Sequence, residues 1–326
     1  MRMRVVILGA TGHIGSYLVP RLVSAGHEVV AVSRGLRQPY HDSLAWRHVQ
    51  HVGIDRAAAE ADRTFGTAIA TLSPDVVIDL ICFTLDSAAH LVDALRDRVE
   101  LFLHCGTLWV HGAPKSRPYD ETALREPFGE YGIRKAQIER FLLEAAGGGF
   151  PASVLHPGHI TGAGWVPVNP AGNLDLAVFA RLAQGDRVAL PDGGMATLQH
   201  VHADDVAQAF ERALAQPVAA VGQAFHVAAR EPVTMTDYAE SAASWFGRDA
   251  CLEYLPWDQW RTTVTAQEAS ITHDHILHSP AASIAKAEAL LGFKPMYSAV
   301  DAAREAVNWL LDSKALMLSE SARRVE

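Results

Sequence analysis

The stretch RVVILGATGHIG, residues 4–15, constrains this chain more than any other. A run of Val, Ile and Leu leads directly into glycines at 9, 12 and 15 and then into the helical pattern HIGSYLVPRLVSAG. Such a corner predicts a strand turning straight into a helix. Gly9 permits the tight turn, Gly12 lets backbone approach a ligand, and Gly15 lets helix and strand pack closely. The free N–H groups at the positive end of that helix suit a pyrophosphate.

Strand-like runs then alternate with helical ones. Strands are expected over 4–10, 27–34, 74–83, 99–107 and 152–160, with a short one near WRHVQHVG. Helices are expected over 13–26, 61–72 and 87–98 and along EYGIRKAQIERFLLEAAG. This alternation predicts an α/β protein with a doubly wound, parallel Rossmann sheet. Beyond residue 160 the pattern changes: 161–197 is rich in Gly, Pro and Asn, with one helix near 174–185. A helix over 200–216 is expected to be capped by Asp204 and Asp205, which would also bridge the lobes; a strand follows at 222–229 and a helix at 236–247. SPAASIAKAEALLGF and SAVDAAREAVNWLLDS are also expected to be helical. The expected organisation is a dinucleotide-binding domain over 1–160, to which 198–230 returns, and a smaller C-terminal substrate-binding lobe over 161–312. The tail, 313–326, is expected to fray or to depend on an oligomer.

At 326 residues, 49% apolar and 20% charged, the chain can bury a sizeable core. The net charge of −9, with no block of Lys or Arg, argues against a nucleic-acid partner. The N-terminal apolar run is too short and too broken by glycine for a signal or membrane segment, so a cytoplasmic protein without membrane contact is expected. Cys82, Cys105 and Cys251 lack metal-ligand spacing and are expected to be buried structural thiols. His273, His275 and His278 lack a carboxylate scaffold and are expected in a polar loop near the substrate, with no metal. His104 is expected to be a satisfied core histidine.

The second strand ends in Ser33-Arg34, followed by Arg37, with no acid to bind a ribose 2′-hydroxyl. A guanidinium suits a 2′-phosphate and can stack on adenine, so NADP is favoured over NAD.

Tyr131 and Lys135 in EYGIRK stand one helical turn apart, and Thr107 lies 24 residues before Tyr131. With GATGHIG upstream, the chain resembles the extended short-chain dehydrogenase/reductase family, and within it the NAD-dependent epimerase/dehydratase branch. LFLHCGTLWVHG, HVHADDVA and KAEALLGFKP are similar to further segments of that family, so the likeness spans nearly the whole chain. The resemblance implies Thr107, Tyr131 and Lys135 as the catalytic set, with Tyr131 as acid/base. A free phenol has a pKa near ~10, and the Lys135 ammonium is expected to lower it. The resemblance further implies a cofactor held by Gly9, Thr11, Gly12, His13, Ile14, Gly15, Ser33 and Arg34. Asp55 would reach the adenine, and Leu80 and Ile81 would line the trough. HPGHI would close over the nicotinamide through Pro157 and His159. The resemblance also places His159 at the substrate, Asn173 on it, and a homodimer through helices 87–98 and 130–146. Phe83, Trp109 and Trp165, as aromatic residues, either wall the substrate pocket or pack in the core.

The chain also departs from the family. The acidic pair that follows the Thr in dehydratases is Leu108-Trp109 here, which disfavours elimination of water. The arginines that clamp a nucleotide-sugar diphosphate align with Leu198 and His273. A small non-nucleotide substrate, a sugar or another carbonyl or alcohol compound, is therefore expected for an NAD(P)-dependent oxidoreductase or epimerase. The alternatives are a nucleotide-sugar epimerase and a catalytically silent cofactor sensor.

Overall fold

The computed structural model describes residues 2–318. From the N-terminus come β1 (Arg4–Leu8), α1 (His13–Ser24), β2 (Glu28–Ser33), β3 (Gln50–Gly53), α2 (Arg56–Ala61) and α3 (Phe65–Thr71). They continue into β4 (Val76–Asp79), α4 (Leu85–Leu95), β5 (Leu101–Cys105), α5 (Gly129–Gly147) and β6 (Ala152–Pro157). The expected helix over 61–72 is two helices, because Arg63 takes a positive φ of 55° and breaks the run. The expected strand over 152–160 also divides, at Gly158, into β6 and β7 (His159–Thr161).

A second lobe follows with α6 (Ala177–Gln184), β8 (Arg187–Pro191), β9 (Thr197–Leu198) and β10 (His200–His202). The chain then returns to the first lobe through α7 (Ala203–Ala215), α8 (Pro217–Ala220) and β11 (Ala224–Val227). The remainder comprises β12 (Val233–Thr234), α9 (Met235–Ser244), β13 (Cys251–Leu255), α10 (Trp257–Trp260), α11 (Ala266–His278), α12 (Ala285–Leu291) and α13 (Ala299–Asp312).

Seven strands form one parallel sheet in the order β11-β6-β5-β4-β1-β2-β3. Both faces are covered, which is why the strands are continuously apolar rather than alternating. Val5 and Ile7 face Leu18 and Leu22 of α1 and Phe210 of α7, while Val6 and Leu8 face the side holding Phe65, Leu91, Ile138 and Leu142. A separate core in the second lobe gathers Phe179, Tyr238, Trp260 and Val307.

Several expectations are corrected. The helix expected from 200 begins at Ala203, and its N-cap is His202, whose Nδ1 accepts from the Asp204 N–H at 3.0 Å. The aspartates instead tie other segments: Asp204 pairs with Arg21 of α1 at 2.6 and 2.7 Å, and Asp205 accepts from the N–H groups of Met296 and Tyr297. His273, His275 and His278 lie on α11, not in a loop. Residues 313–318 do not fray: Leu316 and Leu318 are buried in the second core, while 319–326 lie outside the described residues. Cys82 and Cys105 are buried, but Cys251 is exposed. His104 is a core residue, yet both its ring nitrogens lack a hydrogen-bond partner. Among the described residues, no helix is long and apolar enough to cross a membrane.

Candidate active site

The sheet delivers the ends of β1, β2, β4, β5 and β6 to one edge, where a doubly wound fold carries its ligand crevice. At the β1–α1 corner Gly9 adopts φ +85°, and a Cβ there would lie 2.6 Å from Ile81 Cγ2. A Cβ on Gly15 would come 2.2 Å from the Ala10 carbonyl oxygen, so only glycine lets α1 pack onto β1. Thr11 and Gly12 complete the turn, Gly12 being the N-cap, and His13 and Ile14 open the helix. This bare-backbone cradle fits a dinucleotide's pyrophosphate. His13 also donates from Nε2 to the Ala163 carbonyl at 3.1 Å and stacks on Trp165 at 5.2 Å between centroids, and burial pushes its pKa down to about 4.

Around the adenosine end the arrangement is less direct. Ser33 accepts from the Gly35 N–H, Arg34 is exposed, and Arg37 donates to the Tyr40 hydroxyl at 3.3 Å. The Asp55 carboxylate caps α2, accepting from the Ala58 N–H at 3.1 Å. Its neighbour Arg56 forms an ion pair with the fully buried Asp79 at 2.7 and 2.9 Å, beside Leu80 and Ile81. Sequence reasoning missed this pair; the only signal was an acid ending the apolar strand VVID.

Thr107, Tyr131 and Lys135 converge at the end of β5. Thr107 caps a short 3₁₀ turn over Leu108–His111, its hydroxyl accepting from the Trp109 N–H at 3.3 Å. Tyr131 lies in the first turn of α5, 44% exposed. Lys135, one turn on, is buried and donates to the carbonyls of Cys82 at 2.8 Å and Cys105 at 2.7 Å, with Phe83 against its ammonium at 4.7 Å. The expected lowering of the phenol pKa is not found. Although the residue is partly exposed, the protein packed around the Tyr131 phenol desolvates it and pushes its pKa up to about 12, with Cys105 adding to the rise and the Thr107 hydroxyl pulling the other way. The Lys135 ammonium is committed to the strand ends instead, and its own pKa is lowered by burial.

A wall of rings drawn from both lobes faces this point. Trp109 stands edge-on to Tyr131 at 5.9 Å and stacks on His278 at 4.0 Å, and Phe128 covers the same imidazole at 4.1 Å. His159 packs against His275 at 4.7 Å, and neither of its ring nitrogens has a partner. Burial, and then the neighbouring imidazoles, hold the His159 pKa far below its ordinary value; His278 is pushed down to about 4. The wall is therefore neutral at physiological pH. Pro157 ends β6 next in sequence to the Gly158–His159 step, whereas Phe83 lies half exposed against the Lys135 ammonium. Asn173 is not available for substrate: it is buried, with its amide oxygen bound by Asn169 and Asp175 and its amide nitrogen by Thr272. His275 and His278 were expected near the substrate, though in a loop rather than on a helix, and Phe128 was not singled out from sequence.

The family sequence model for the NAD dependent epimerase/dehydratase family matches residues 5–228. The chain belongs to this family. Among its relatives, 2'-dehydrokanamycin reductase of Streptomyces kanamyceticus is 30% identical over 249 residues, spanning 76% of this chain and 67% of the relative. The chloroplast stem-loop binding protein of 41 kDa b of Arabidopsis thaliana is 24% identical over 318 residues, 94% of this chain and 78% of that one. Among solved structures, the dTDP-glucose 4,6-dehydratase of Bacillus anthracis in complex with NAD superposes with a TM-score of 0.72 at 14% identity, covering 96% and 98% of the two chains. The fold is thus the Rossmann-type fold of this family, and the protein is an NAD-dependent enzyme of the epimerase/reductase kind.

Proposed function

We propose that this family member is an NADP-preferring reductase or epimerase, acting at a carbinol or carbonyl carbon of a small non-nucleotide substrate such as a sugar. The observation that carries this reading is the meeting of Thr107, Tyr131 and Lys135 at the end of β5, beside the glycine cradle. A nicotinamide held there supplies or accepts the hydride. Tyr131, protonated up to about pH 12, gives a proton to a carbonyl oxygen as it becomes a hydroxyl, and takes one back in the reverse direction. The Trp109 N–H occupies one lone pair of the Thr107 hydroxyl, whose hydrogen faces the Tyr131 oxygen and turns to the substrate oxygen when one binds between them. Trp109, Phe83 and His159 form the substrate wall, while Pro157 and His159 close over the nicotinamide side. Asp55, Leu80 and Ile81 line the adenosine trough.

Two features favour a substrate without a diphosphate. Leu198 is buried in the second core, and His273 rests on Trp257 at 5.0 Å, so neither supplies a bidentate cation. The relative named as a reductase of 2'-dehydrokanamycin is a precedent for a non-nucleotide carbonyl substrate. NADP preference rests on Arg34 and Arg37 and on the lack of an acid at the end of β2. We also assign the protein a homodimer through α4 and α5, where Ile133 is left exposed, to be checked by light scattering.

The test is a thermal-shift and turnover screen with NADPH, NADH, UDP-sugars and a methyl ketoglucopyranoside. Stabilisation by NADPH and oxidation of it by the ketoglycoside support the reading; a large shift with UDP-sugars overturns it. The silent-sensor alternative draws on the stem-loop binding relative. It gains ground only if Tyr131→Phe leaves the protein's biological output unaltered.

A further inference from the structure

A buried polar chain lies behind Thr107 that the chemistry above does not use. Arg125 grips Glu139 through Nη2 at 2.6 Å and Nε at 3.1 Å. Glu139, one turn beyond Lys135 on α5, accepts from Nε2 of His156 at 3.0 Å. Nδ1 of His156 in turn accepts the backbone N–H of Thr107 at 3.0 Å. The two partners admit one protonation state: neutral imidazole with its hydrogen on Nε2, since a hydrogen on Nδ1 would oppose the Thr107 N–H. Glu139 and His156 are fully enclosed, so neither bond is shared with solvent. The approach is close enough that a Cβ on Gly106 would fall 2.3 Å from His156 Nδ1, and glycine at 106 is what lets the imidazole reach the strand end.

We propose that His156, held by Glu139 and Arg125, is a positioning residue that fixes the hydroxyl of Thr107. The proposal rests on Thr107 and Tyr131 being the catalytic pair. Lys135 holds the Cys105 carbonyl from the α5 side, and His156 holds the Thr107 N–H two residues later, so the strand end is fastened at both points. The backbone bond sets where Thr107 stands, and the Trp109 N–H on its hydroxyl sets which way it points. An apolar residue at 156 would fill the space but leave the Thr107 N–H without an acceptor.

The test compares His156→Leu with His156→Gln in the full chain. A glutamine amide can both accept from Thr107 and donate to Glu139. The leucine variant is expected to lower kcat on the methyl ketoglucopyranoside by roughly tenfold to a hundredfold, with KM and NADPH affinity nearly unchanged, and to speed exchange of the Thr107 amide. The glutamine variant is expected to restore both. Should the leucine variant not fold, Glu139→Leu, which frees the imidazole to rotate, is measured in its place. Wild-type kcat and unchanged Thr107 exchange in the leucine variant would overturn the proposal, as would a glutamine variant equally impaired. Tyr131→Phe runs in parallel: turnover retained there overturns the catalytic pair itself. Turnover lost there but kept in His156→Leu overturns only the positioning role. The exchange measurement needs no substrate, so it decides the hydrogen bond in either case.

Discussion

Lys135 donates to the carbonyl of Cys105 at 2.7 Å, joining the middle of α5 to the strand end that carries Thr107. With the second bond to Cys82, one ammonium links the last residue of β5 to the segment after β4. Its structural role is as evident as any electrostatic one. Lys135→Met would strand two carbonyls and is expected to cost about 2–3 kcal/mol in urea unfolding, together with loss of turnover.

Tyr131→Phe keeps the ring against Trp109 and removes only the hydroxyl. Turnover should fall by about a hundredfold or more, with NADPH affinity unchanged in a fluorescence titration. Because burial raises the phenol to about 12, the protonated acid is present below that value and lost only as pH rises through it. For carbonyl reduction, kcat/KM should therefore show no fall attributable to Tyr131 between about pH 7 and pH 10. A descending limb near neutrality that disappears in the Phe variant would contradict this.

Replacing Arg34 and Arg37 together by Gln should weaken NADPH binding by about tenfold or more and leave NADH binding nearly untouched, since only the former offers a 2′-phosphate. Equal weakening of both in a calorimetric titration would remove the argument for NADP.

Gly15→Ala sets a methyl 2.2 Å from the Ala10 carbonyl oxygen, a clash with backbone that no rotamer relieves. The variant is expected to lose the thermal shift with NADPH and to unfold at lower temperature than the wild type.

Glu139 supplies a stability term with a definite sign. Burial alone would raise its pKa, but the hydrogen bond from His156 and the bidentate grip of the Arg125 guanidinium outweigh that and hold it far below the carboxylate range. The stabilisation is therefore present above the unfolded-state pKa of about 4.3 and is lost progressively as pH falls below it. Glu139→Gln should flatten the acid side of the Tm–pH curve. An unchanged slope would assign the acid transition to other groups.

The β1–α1 corner was legible because three glycines in register leave few other structures open. Strand ends were legible only approximately: apart from Asp75 and Asp79, PDVVIDLICF is a run of apolar residues, yet pairing stops at Asp79, where the chain leaves the sheet to meet the cofactor cleft. The parallel pair β8–β13 escaped notice because RVALP and CLEYL each carry a charged residue and lie outside the strand–helix alternation of the first lobe. The Arg56–Asp79 and His156–Glu139 pairs join residues that only the folded sheet brings together, and no local spacing announces them. The direction of the Tyr131 pKa shift failed for a related reason. Helical spacing brings Lys135 near, but the surrounding fold decides where its charge is spent.

The edge strand β11 has a consequence for how the protein is made. It pairs with β6, but 66 residues of chain lie between Pro157 and Ala224, and α7, which covers α1, belongs to that same stretch. A ribosome that has released residues 1–200 has delivered six of the seven sheet strands, with one apolar flank of the nascent sheet still bare. Closure must wait for a late, distant segment, the kind of non-local joining that slows folding. A truncation before residue 227 should leave an aggregating fragment rather than a free-standing nucleotide-binding module.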